Sequence, residues 1–451
     1  MNSADTIVAR ATAAGRGGVA VVRVSGPATA SLVTAVAGEL PRARHAALRD
    51  FLDTDGTPID TGLVLWFPAP RSFTGEDVAE FHGHGGRVVV DLLIARLCKL
   101  GARPARPGEF SQRAFLNDKL DLAQAEAIAD LVDSGSAQAA RAAVRSLQGA
   151  FSQAVHALVE QITTLRMHVE AAIDFPEEEI DFLDDAGLRA RIEQTLAAFD
   201  SLQQKAQQGR ALNDGLTVVL AGAPNVGKSS LLNALSGDDT AIVTDVAGTT
   251  RDLIETTLDV AGLPVTLIDT AGLRDTDDIV EREGVRRSRQ AAARADHLLV
   301  MVEATGDPVS QAAALDDALP DDIPRTLVVN KVDLVDSNAG TETLATSEET
   351  AVFVSATRGD GIVALQQRLH DVAGLAGDIG GGFSARRRHL DCIDTARAQF
   401  DAGVARLEQD RAGELMAEEL RLAQQALSEI TGVFTSDDLL GRIFSSFCIG
   451  K

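Results

Sequence analysis

The sequence is poor in cysteine and in positive charge, and both shortages limit what it can do. Its 451 residues include three cysteines, Cys98, Cys392 and Cys448. Their wide, unpatterned spacing suggests neither a disulfide framework nor a metal knuckle, and fits a reducing cytoplasm. Lysine and arginine total 42 against 66 aspartates and glutamates, for a net charge of -24. This balance disfavours broad adhesion to nucleic acid, so any RNA contact must be local or supplied by a partner.

Long hydrophobic runs are also missing. No stretch approaches the roughly 18 uninterrupted apolar residues of a membrane span. The start, MNSADTIVARATAAGRGG, lacks a basic region followed by an apolar core. We therefore expect neither a membrane span nor a signal peptide, and a cytoplasmic location. The content of 45% hydrophobic and 24% charged residues is that of a globular protein, and the length allows two to four domains.

The most informative stretch is LTVVLAGAPNVGKSS, from Leu216 to Ser230. An apolar run passes into the pattern G-x-x-x-x-G-K-S, which begins at Gly222, and a helical pattern follows. This order of strand, glycine-rich loop and helix predicts a phosphate loop. The glycines let backbone N–H groups surround phosphates, Lys228 supplies a cation, and the Ser229 hydroxyl can bind Mg²⁺. The alternative is a glycine-rich structural turn.

Three further motifs each follow an apolar run: D-T-A-G from Asp269, N-K-V-D from Asn330 and S-A from Ser355. Motifs at the ends of parallel strands meet at one sheet edge, where we expect Asp269 to hold Mg²⁺ through water. The Asp333 carboxylate can accept the ring N–H and the exocyclic amine of guanine, whereas adenine lacks that pair of donors. The order of motifs predicts a GTP site and disfavours an ATPase.

A long loop, Thr244 to Asp252, separates the phosphate loop from the D-T-A-G motif. We expect it to close on the γ-phosphate, with Thr250 as the second Mg²⁺ ligand beside Ser229. Leu273 occupies the position at which Ras-like enzymes use glutamine to orient water. Asn225 and the loop carbonyls suggest a monovalent cation instead; alternatively, Asn225 only caps the turn. The predicted GTP contacts are Asn225, Val226, Gly227, Lys228, Ser229, Ser230, Thr244, Asp245, Val246, Ala247, Gly248, Thr249, Thr250, Asp269, Thr270, Ala271, Gly272, Asn330, Lys331, Asp333, Ser355, Ala356 and Thr357.

Composition divides the chain into four parts: a mixed α/β domain (1–118), helices (119–213), the nucleotide domain (214–378) and further helices (379–451). The pattern predicts one helical domain, split in sequence, with a Ras-like nucleotide domain inserted into it. Gln207–Gly215 is predicted as a linker, and Arg386–Arg388 as a solvated helix start, with an RNA contact as the alternative. His82 and His84 lie two apart without a nearby third ligand, which favours a structural role over a metal site.

Four other segments, together with the nucleotide motifs, carry a resemblance along nearly the whole chain. They are GRGGVAVVRVSG (Gly15–Gly26), SFTGED (Ser72–Asp77), RPGEFSQRAFLNDKLDLAQAEAI (Arg106–Ile128) and FTSDDLLGRIFSSFCIGK (Phe434–Lys451). With these motifs the sequence closely resembles the bacterial tRNA-modification GTPases of the MnmE family, also called TrmE. A ribosome-assembly GTPase would need an RNA-binding module such as a KH domain, or a second G domain, and the sequence after Gly374 shows neither.

The resemblance implies an N-terminal folate-binding domain that forms a homodimer, a helical domain and an inserted G domain. It also implies a heterotetramer with the flavin-dependent subunit MnmG (GidA). Together the subunits would modify C5 of the wobble uridine, position 34, of certain tRNAs to carboxymethylaminomethyluridine-type products. The one-carbon unit would come from 5-formyltetrahydrofolate or a related tetrahydrofolate, and GTP hydrolysis would depend on Mg²⁺ and K⁺.

The resemblance also assigns residues. It implies K⁺ ligands at Asn225, Thr244, Val246 and Thr249, a catalytic Glu281, and folate contacts at Arg23, Glu80, Lys119 and Lys451. Arg251 and Arg274 are alternatives to K⁺ as the source of positive charge, ranked below it because such arginines more often pair with nearby acids. A lone cysteine in an apolar tail is usually buried and inert, so we expect Cys448 to pack near the folate site and not to act as a nucleophile.

Overall fold

The computed structural model describes residues 5–174, 186–236, 255–269, 295–316, 319, 323–335, 339–343, 350–375, 382–433, 437–448 and 450. The chain divides into two compact units, Met1–Ala129 with Gln424–Lys451, and Asp130–Ala423. The four-part division made from composition remains a prediction. Within the described ranges, every helix is too short or too polar to cross a membrane.

The first unit is built on a six-stranded sheet with the order β3-β4-β5-β2-β1-β6. Its strands are β1 (Ile7–Arg10), β2 (Gly17–Ser25), β3 (Ala47–Leu52), β4 (Pro58–Phe67), β5 (Val78–Gly85) and β6 (Arg103–Pro104). Its helices are α1 (Thr29–Ala37), α2 (Arg87–Lys99), α3 (Glu109–Leu116) and α4 (Leu122–Asp133), whose end from Asp130 onwards belongs to the second unit. Side chains on β2 alternate between core and solvent, so Val22 and Val24 are buried while Arg23 between them faces the other side.

The helices of the second unit come from both ends of its sequence. They are α5 (Ala137–Leu147), α6 (Ala150–Asp174) and α7 (Ala186–Asp214) before the nucleotide motifs, and α11 (Arg387–Asp410) and the first part of α12 (Gly413–Thr431), up to Ala423, after them. The rest of α12 and α13 (Asp437–Ser445) belong to the first unit. Phe199 on α7 packs on Phe400 of α11 with ring centroids 5.5 Å apart. Arg397 Nη1 lies 2.7 Å from Asp200 Oδ1. These contacts confirm a helical domain that is discontinuous in sequence.

The predicted linker at Gln207–Gly215 is wrong, because α7 continues to Asp214. Its two glutamines, its alanine and its arginine are good helix formers. Gly209 is required by close packing, since a Cβ there would lie 2.0 Å from Phe383 O. The chain turns only at Gly215, whose φ of +72° favours glycine.

The basic triplet begins a helix, as predicted. Arg386 is the N-cap residue of α11, and its Nε and Nη2 donate to Asp130 Oδ1 at 2.9 and 2.6 Å. Asp130 is only 6% exposed, so this ion pair ties the start of α11 to the end of α4. The side chain of Arg386, one of the three arginines, therefore forms an ion pair within the helical domain.

The sheet of the second unit has seven strands in the order β12-β13-β11-β10-β7-β9-β8. They are β7 (Leu216–Gly222), β8 (Glu255–Val260), β9 (Leu263–Asp269), β10 (His297–Glu303), β11 (Arg325–Asn330), β12 (Gly340–Thr343) and β13 (Thr350–Phe353). Described helices are α8 (Lys228–Ser236), α9 (Pro308–Asp316) and α10 (Ile362–Val372). The five central strands are parallel, so the predicted motifs meet at one edge, in the manner of a Ras-like G domain.

Candidate nucleotide and folate sites

The phosphate loop joins the end of β7 to the start of α8. Asn225 and Gly227 both have left-handed backbone conformations, with φ of +63° and +103°. Lys228 is only 6% exposed, and its Nζ donates to Gly222 O at 2.8 Å and to Ala223 O at 3.1 Å. The lysine therefore folds back over the loop, and the N–H groups that open α8 lie where an anion would be stabilised.

Asn330 links three of the predicted motifs. Its Nδ2 donates to Val226 O in the phosphate loop at 2.8 Å, and its Oδ1 accepts from Ala356 N at 3.0 Å. The side chain is 3% exposed, so losing either bond would leave a buried polar atom unpaired. The amide fixes the phosphate loop relative to the segment that follows β13.

The predicted base-recognition residues lie together beside this amide. Ser355 Oγ donates to Asp333 Oδ1 at 2.7 Å and lies 3.3 Å from Thr357 Oγ1. The hydrogen bond from Ser355 lowers the pKa of Asp333 below its usual range. Asp333 is therefore an oriented carboxylate at neutral pH, able to accept two N–H groups from one edge of a base.

The predicted Mg²⁺ ligands are only partly within the described residues. Ser229 is exposed in the first turn of α8, next to Lys228, which suits an oxygen ligand for Mg²⁺ beside a bound triphosphate. Asp269 ends β9 and is paired with Leu220 of β7, which places its backbone near the phosphate loop. The predicted residues that lie outside the described ranges are Thr244, Asp245, Val246, Ala247, Gly248, Thr249, Thr250, Thr270, Ala271, Gly272, Glu281 and Lys451.

Two of the predicted folate residues form an ion pair on neighbouring strands of the first unit. Arg23 on β2 is in register with Glu80 on β5, and Arg23 Nε donates to Glu80 Oε1 at 2.9 Å. The guanidinium carbon lies 5.4 Å from the ring centre of Phe73 and 5.7 Å from that of Phe110. A half-buried carboxylate can accept N–H groups from a flat heterocycle such as a pterin, and neighbouring aromatic rings offer it an apolar surface.

Lys119 lies against the loop that carries Phe73. Its Nζ donates to Pro70 O at 3.2 Å, and Asn117 Nδ2 donates to Thr74 O at 2.7 Å. Arg113 holds the same loop through Glu76 Oε2 at 3.0 Å. The loop therefore connects Lys119 with the Arg23–Glu80 pair.

The C-terminal segment also reaches this pair. Gly450 O accepts from Arg23 Nη1 at 3.4 Å, which brings the residue before Lys451 to the predicted folate site. The expectation that Cys448 is buried is wrong, because its side chain is exposed. The apolar contacts of the tail are made by Phe444 and Phe447, whose rings pack on each other 5.4 Å apart.

The two histidines of β5 each face a carboxylate. His82 Nε2 lies 3.1 Å from Glu80 Oε2, and His84 Nδ1 lies 2.8 Å from Asp60 Oδ1. No group of three or more His, Cys, Asp or Glu side chains arranged to hold a metal occurs among the residues that the structure describes. Each histidine thus has a carboxylate partner that can orient it.

Some contacts were not foreseen from sequence. Phe73 and Phe110 flank Arg23, and Glu303 pairs with Lys331. Both phenylalanines fall inside segments that carry the family resemblance. That resemblance was the available sequence signal for their contact with Arg23. Glu303 had no signal, because an acid at the end of an apolar strand resembles any solvated strand end.

Known proteins match this sequence along nearly its whole length. A family model described as "MnmE helical domain" matches residues 122–448, and one described as "GTP-binding protein TrmE N-terminus" matches residues 6–119. The tRNA modification GTPase MnmE of Erwinia tasmaniensis is 53% identical, with 100% of both chains covered. That of Alkalilimnicola ehrlichii is 57% identical, with 99% of both covered. Among solved structures, the G domain of the T. maritima FeoB iron transporter covers 35% of this chain and 98% of its own, at 24% identity and a TM-score of 0.28.

Proposed function

The chain belongs to the tRNA modification GTPase MnmE family, and from this premise we propose that it couples GTP hydrolysis to the modification of tRNA. The observation that carries the proposal is the Asn330 side chain, which joins the phosphate loop to the segment that holds Asp333 through Ser355. These contacts bring the loop proposed to bind phosphate and the residues proposed to recognise guanine to one sheet edge, which supports GTP as the nucleotide.

Within this site, Lys228 would balance the charge of the outer phosphates. Ser229 and Thr250, together with Asp269 through water, would hold Mg²⁺, which would neutralise charge that develops on the phosphoryl oxygens. Glu281 positions the attacking water from a distance, since Leu273 cannot hydrogen-bond it. Lys331, Ser355, Ala356 and Thr357 line the base side of the site. The remaining predicted loop residues close over the γ-phosphate.

A potassium ion held by Asn225, Thr244, Val246 and Thr249 is proposed to supply the positive charge that an arginine finger supplies elsewhere. The left-handed backbone of Asn225 fits this role and also fits a simple turn, because asparagine tolerates that conformation. The ion would bring two G domains of a homodimer together. The proposal therefore makes hydrolysis depend on the identity of the monovalent cation.

Hydrolysis is expected to be at least tenfold faster in KCl than in NaCl of equal concentration, since one well-placed charge contributes roughly tenfold or more. The measurement is phosphate release at saturating GTP. Equal rates in the two salts would remove the potassium site.

Glu281→Ala should lower turnover in KCl with little change in GTP affinity, because its contact is made in the transition state.

The N-terminal domain is proposed to bind 5-formyltetrahydrofolate or a related tetrahydrofolate. Arg23, Glu80, Lys119 and Lys451 would contact it, with Glu80 accepting N–H groups of the pterin. When bound, the folate supplies a one-carbon unit for C5 of the wobble uridine, position 34, of certain tRNAs. A flavin-dependent partner, MnmG, completes the reaction in a heterotetramer in the cytoplasm.

Reconstitution tests this function as a whole. Unmodified tRNA incubated with this protein, MnmG, GTP, Mg²⁺, K⁺ and the folate should gain a carboxymethylaminomethyl-type group on the wobble uridine, detected by nucleoside mass spectrometry. Leaving out GTP or the folate should stop the gain, and Glu80→Gln should reduce it, because the amide cannot accept both pterin donors. Full modification without this protein would contradict the proposal.

A further inference from the structure

Glu303 ends β10 and lies beside Asn330 at the end of β11. Its carboxylate forms an ion pair with the ammonium group of Lys331 and accepts a hydrogen bond from Thr305 Oγ1 at 3.2 Å. The hydrogen bond from Lys331 lowers the pKa of Glu303, so its carboxylate is charged at neutral pH. The sequence motifs did not predict that Glu303 and Lys331 would pair.

The backbone of Glu303 is held on two sides. Gln311 of α9 accepts from Glu303 N at 3.0 Å and donates to Glu303 O at 2.9 Å. The next residue, Ala304, donates its N–H to Asn330 O at 2.8 Å. Glu303 is therefore a fixed point between α9 and the end of β11, from which its carboxylate can hold a flexible partner.

Lys331 is the flexible partner. Its backbone is left-handed, with φ of +67°, and its side chain runs from the end of β11 to the end of β10. The sheet order places β10 between β11, which precedes Asp333, and β7, which precedes the phosphate loop. A nucleotide with its base at Asp333 and its phosphates at Lys228 must cross the end of β10. Its path therefore lies over the methylene stem of Lys331, which offers an apolar surface.

We propose that Glu303 is a positioning residue of the nucleotide site: through its ion pair it holds the Lys331 side chain across the end of β10, where the methylene stem supports the base and ribose. This inference rests on the GTP site proposed above and deepens it. Glu303 acts on GDP and GTP alike, because it lies on the base side. It does not select the base, which is the role of Asp333.

The test compares Glu303→Gln, Glu303→Asp, Lys331→Met and the double variant Glu303→Gln/Lys331→Met. Glu193→Gln, an exposed acid on α7, is the matched control. Dissociation constants for GDP, GTP and ITP are measured by calorimetry in Mg²⁺ buffer. The ion pair is partly solvated, with side chains 30% and 33% exposed, so Glu303→Gln should weaken GDP and GTP about threefold to fivefold and equally.

Three further readouts separate positioning from general stability. The ratio of GTP to ITP affinity should not change in Glu303→Gln. Inosine differs from guanosine only by the absence of the exocyclic amine, and Glu303 does not contact that amine in the proposed arrangement. Glu303→Asp, which keeps the charge, should recover part of the loss. In the Lys331→Met background, Glu303→Gln should cause no further loss, since the pair is already broken.

Wild-type affinity in Glu303→Gln, or an equal additional loss in the Lys331→Met background, would overturn the positioning role. So would a loss in Glu303→Gln that Glu193→Gln reproduces. Failure of the underlying GTP site would look different: the unaltered protein would bind ATP as tightly as GTP, or neither nucleotide.

Discussion

Asp333→Asn is expected to weaken GTP and GDP binding by roughly 100-fold or more and to make XTP the preferred nucleotide. The carboxylate offers two acceptors to the ring N–H and the exocyclic amine of guanine. An asparagine amide replaces one acceptor with a donor, which opposes the guanine amine and matches the C2 carbonyl of xanthine. The hydrogen bond from Ser355 can remain on the amide oxygen, so the change is confined to base recognition.

Calorimetric titration with GDP, GTP, XDP and XTP measures the change in preference. Asp360→Asn is the matched control, because Asp360 is an exposed acid a few residues after Ser355 and its replacement changes the net charge equally. It should retain the preference for guanine. Continued preference of Asp333→Asn for GTP would show that the base is recognised elsewhere.

Gly227→Ala is expected to destabilise the unit that carries the G domain by about 3 kcal/mol and to weaken GDP and GTP at least tenfold. The backbone at Gly227 has φ of +103°, and a Cβ there would lie 2.3 Å from Asn330 Nδ2. Asn330 would have to move, with loss of its bonds to Val226 O and Ala356 N. The strained backbone adds to the cost of the two lost hydrogen bonds.

Thermal unfolding with and without GDP, together with GDP titration, measures both effects. Gly441→Ala is the control, since its position has open space around a Cβ and lies inside α13. Alanine there should be neutral or slightly stabilising, because it is the better helix former. Wild-type GDP affinity in Gly227→Ala would contradict the tight contact between Gly227 and Asn330.

The strands that precede the nucleotide motifs were predictable because buried parallel strands are nearly continuous apolar runs. Val265–Ile268 and Thr326–Val329 fall inside β9 and β11. The loops after them carry chemistry that depends on residue type, so Asp333 and Ser355 could be assigned to guanine before any contact was known. Sequence order then placed them at one edge.

The cross-links between motifs were not predictable in the same way. Val226 and Asn330 are separated by 104 residues in sequence, and no local pattern marks an amide that will join them. Glu303 and Lys331 are a similar case, since their pairing follows from the adjacency of β10 and β11. The failed linker at Gln207–Gly215 shows a different limit: Gly209 indicated a flexible break, whereas it reflects the close approach of Phe383.

The N-terminal site depended on the resemblance. Arg23 and Glu80 would otherwise each have been classed as an ordinary surface or half-buried charge, and only the register of β2 and β5 makes them neighbours. The approach of Gly450 to Arg23 joins the two ends of the chain, a contact between residues too distant in sequence for any periodicity to indicate.

We propose that a guanine nucleotide bound at the phosphate loop and Asp333 drives tRNA modification. The most direct measurement is the mass of the wobble nucleoside in tRNA from a strain that lacks this protein, complemented with wild type, Asp333→Asn or Asp360→Asn at equal protein levels. Wild type and Asp360→Asn should restore the modified uridine, whereas Asp333→Asn should leave it unmodified. A modified nucleoside in the deletion strain, or full restoration by Asp333→Asn, would contradict the account.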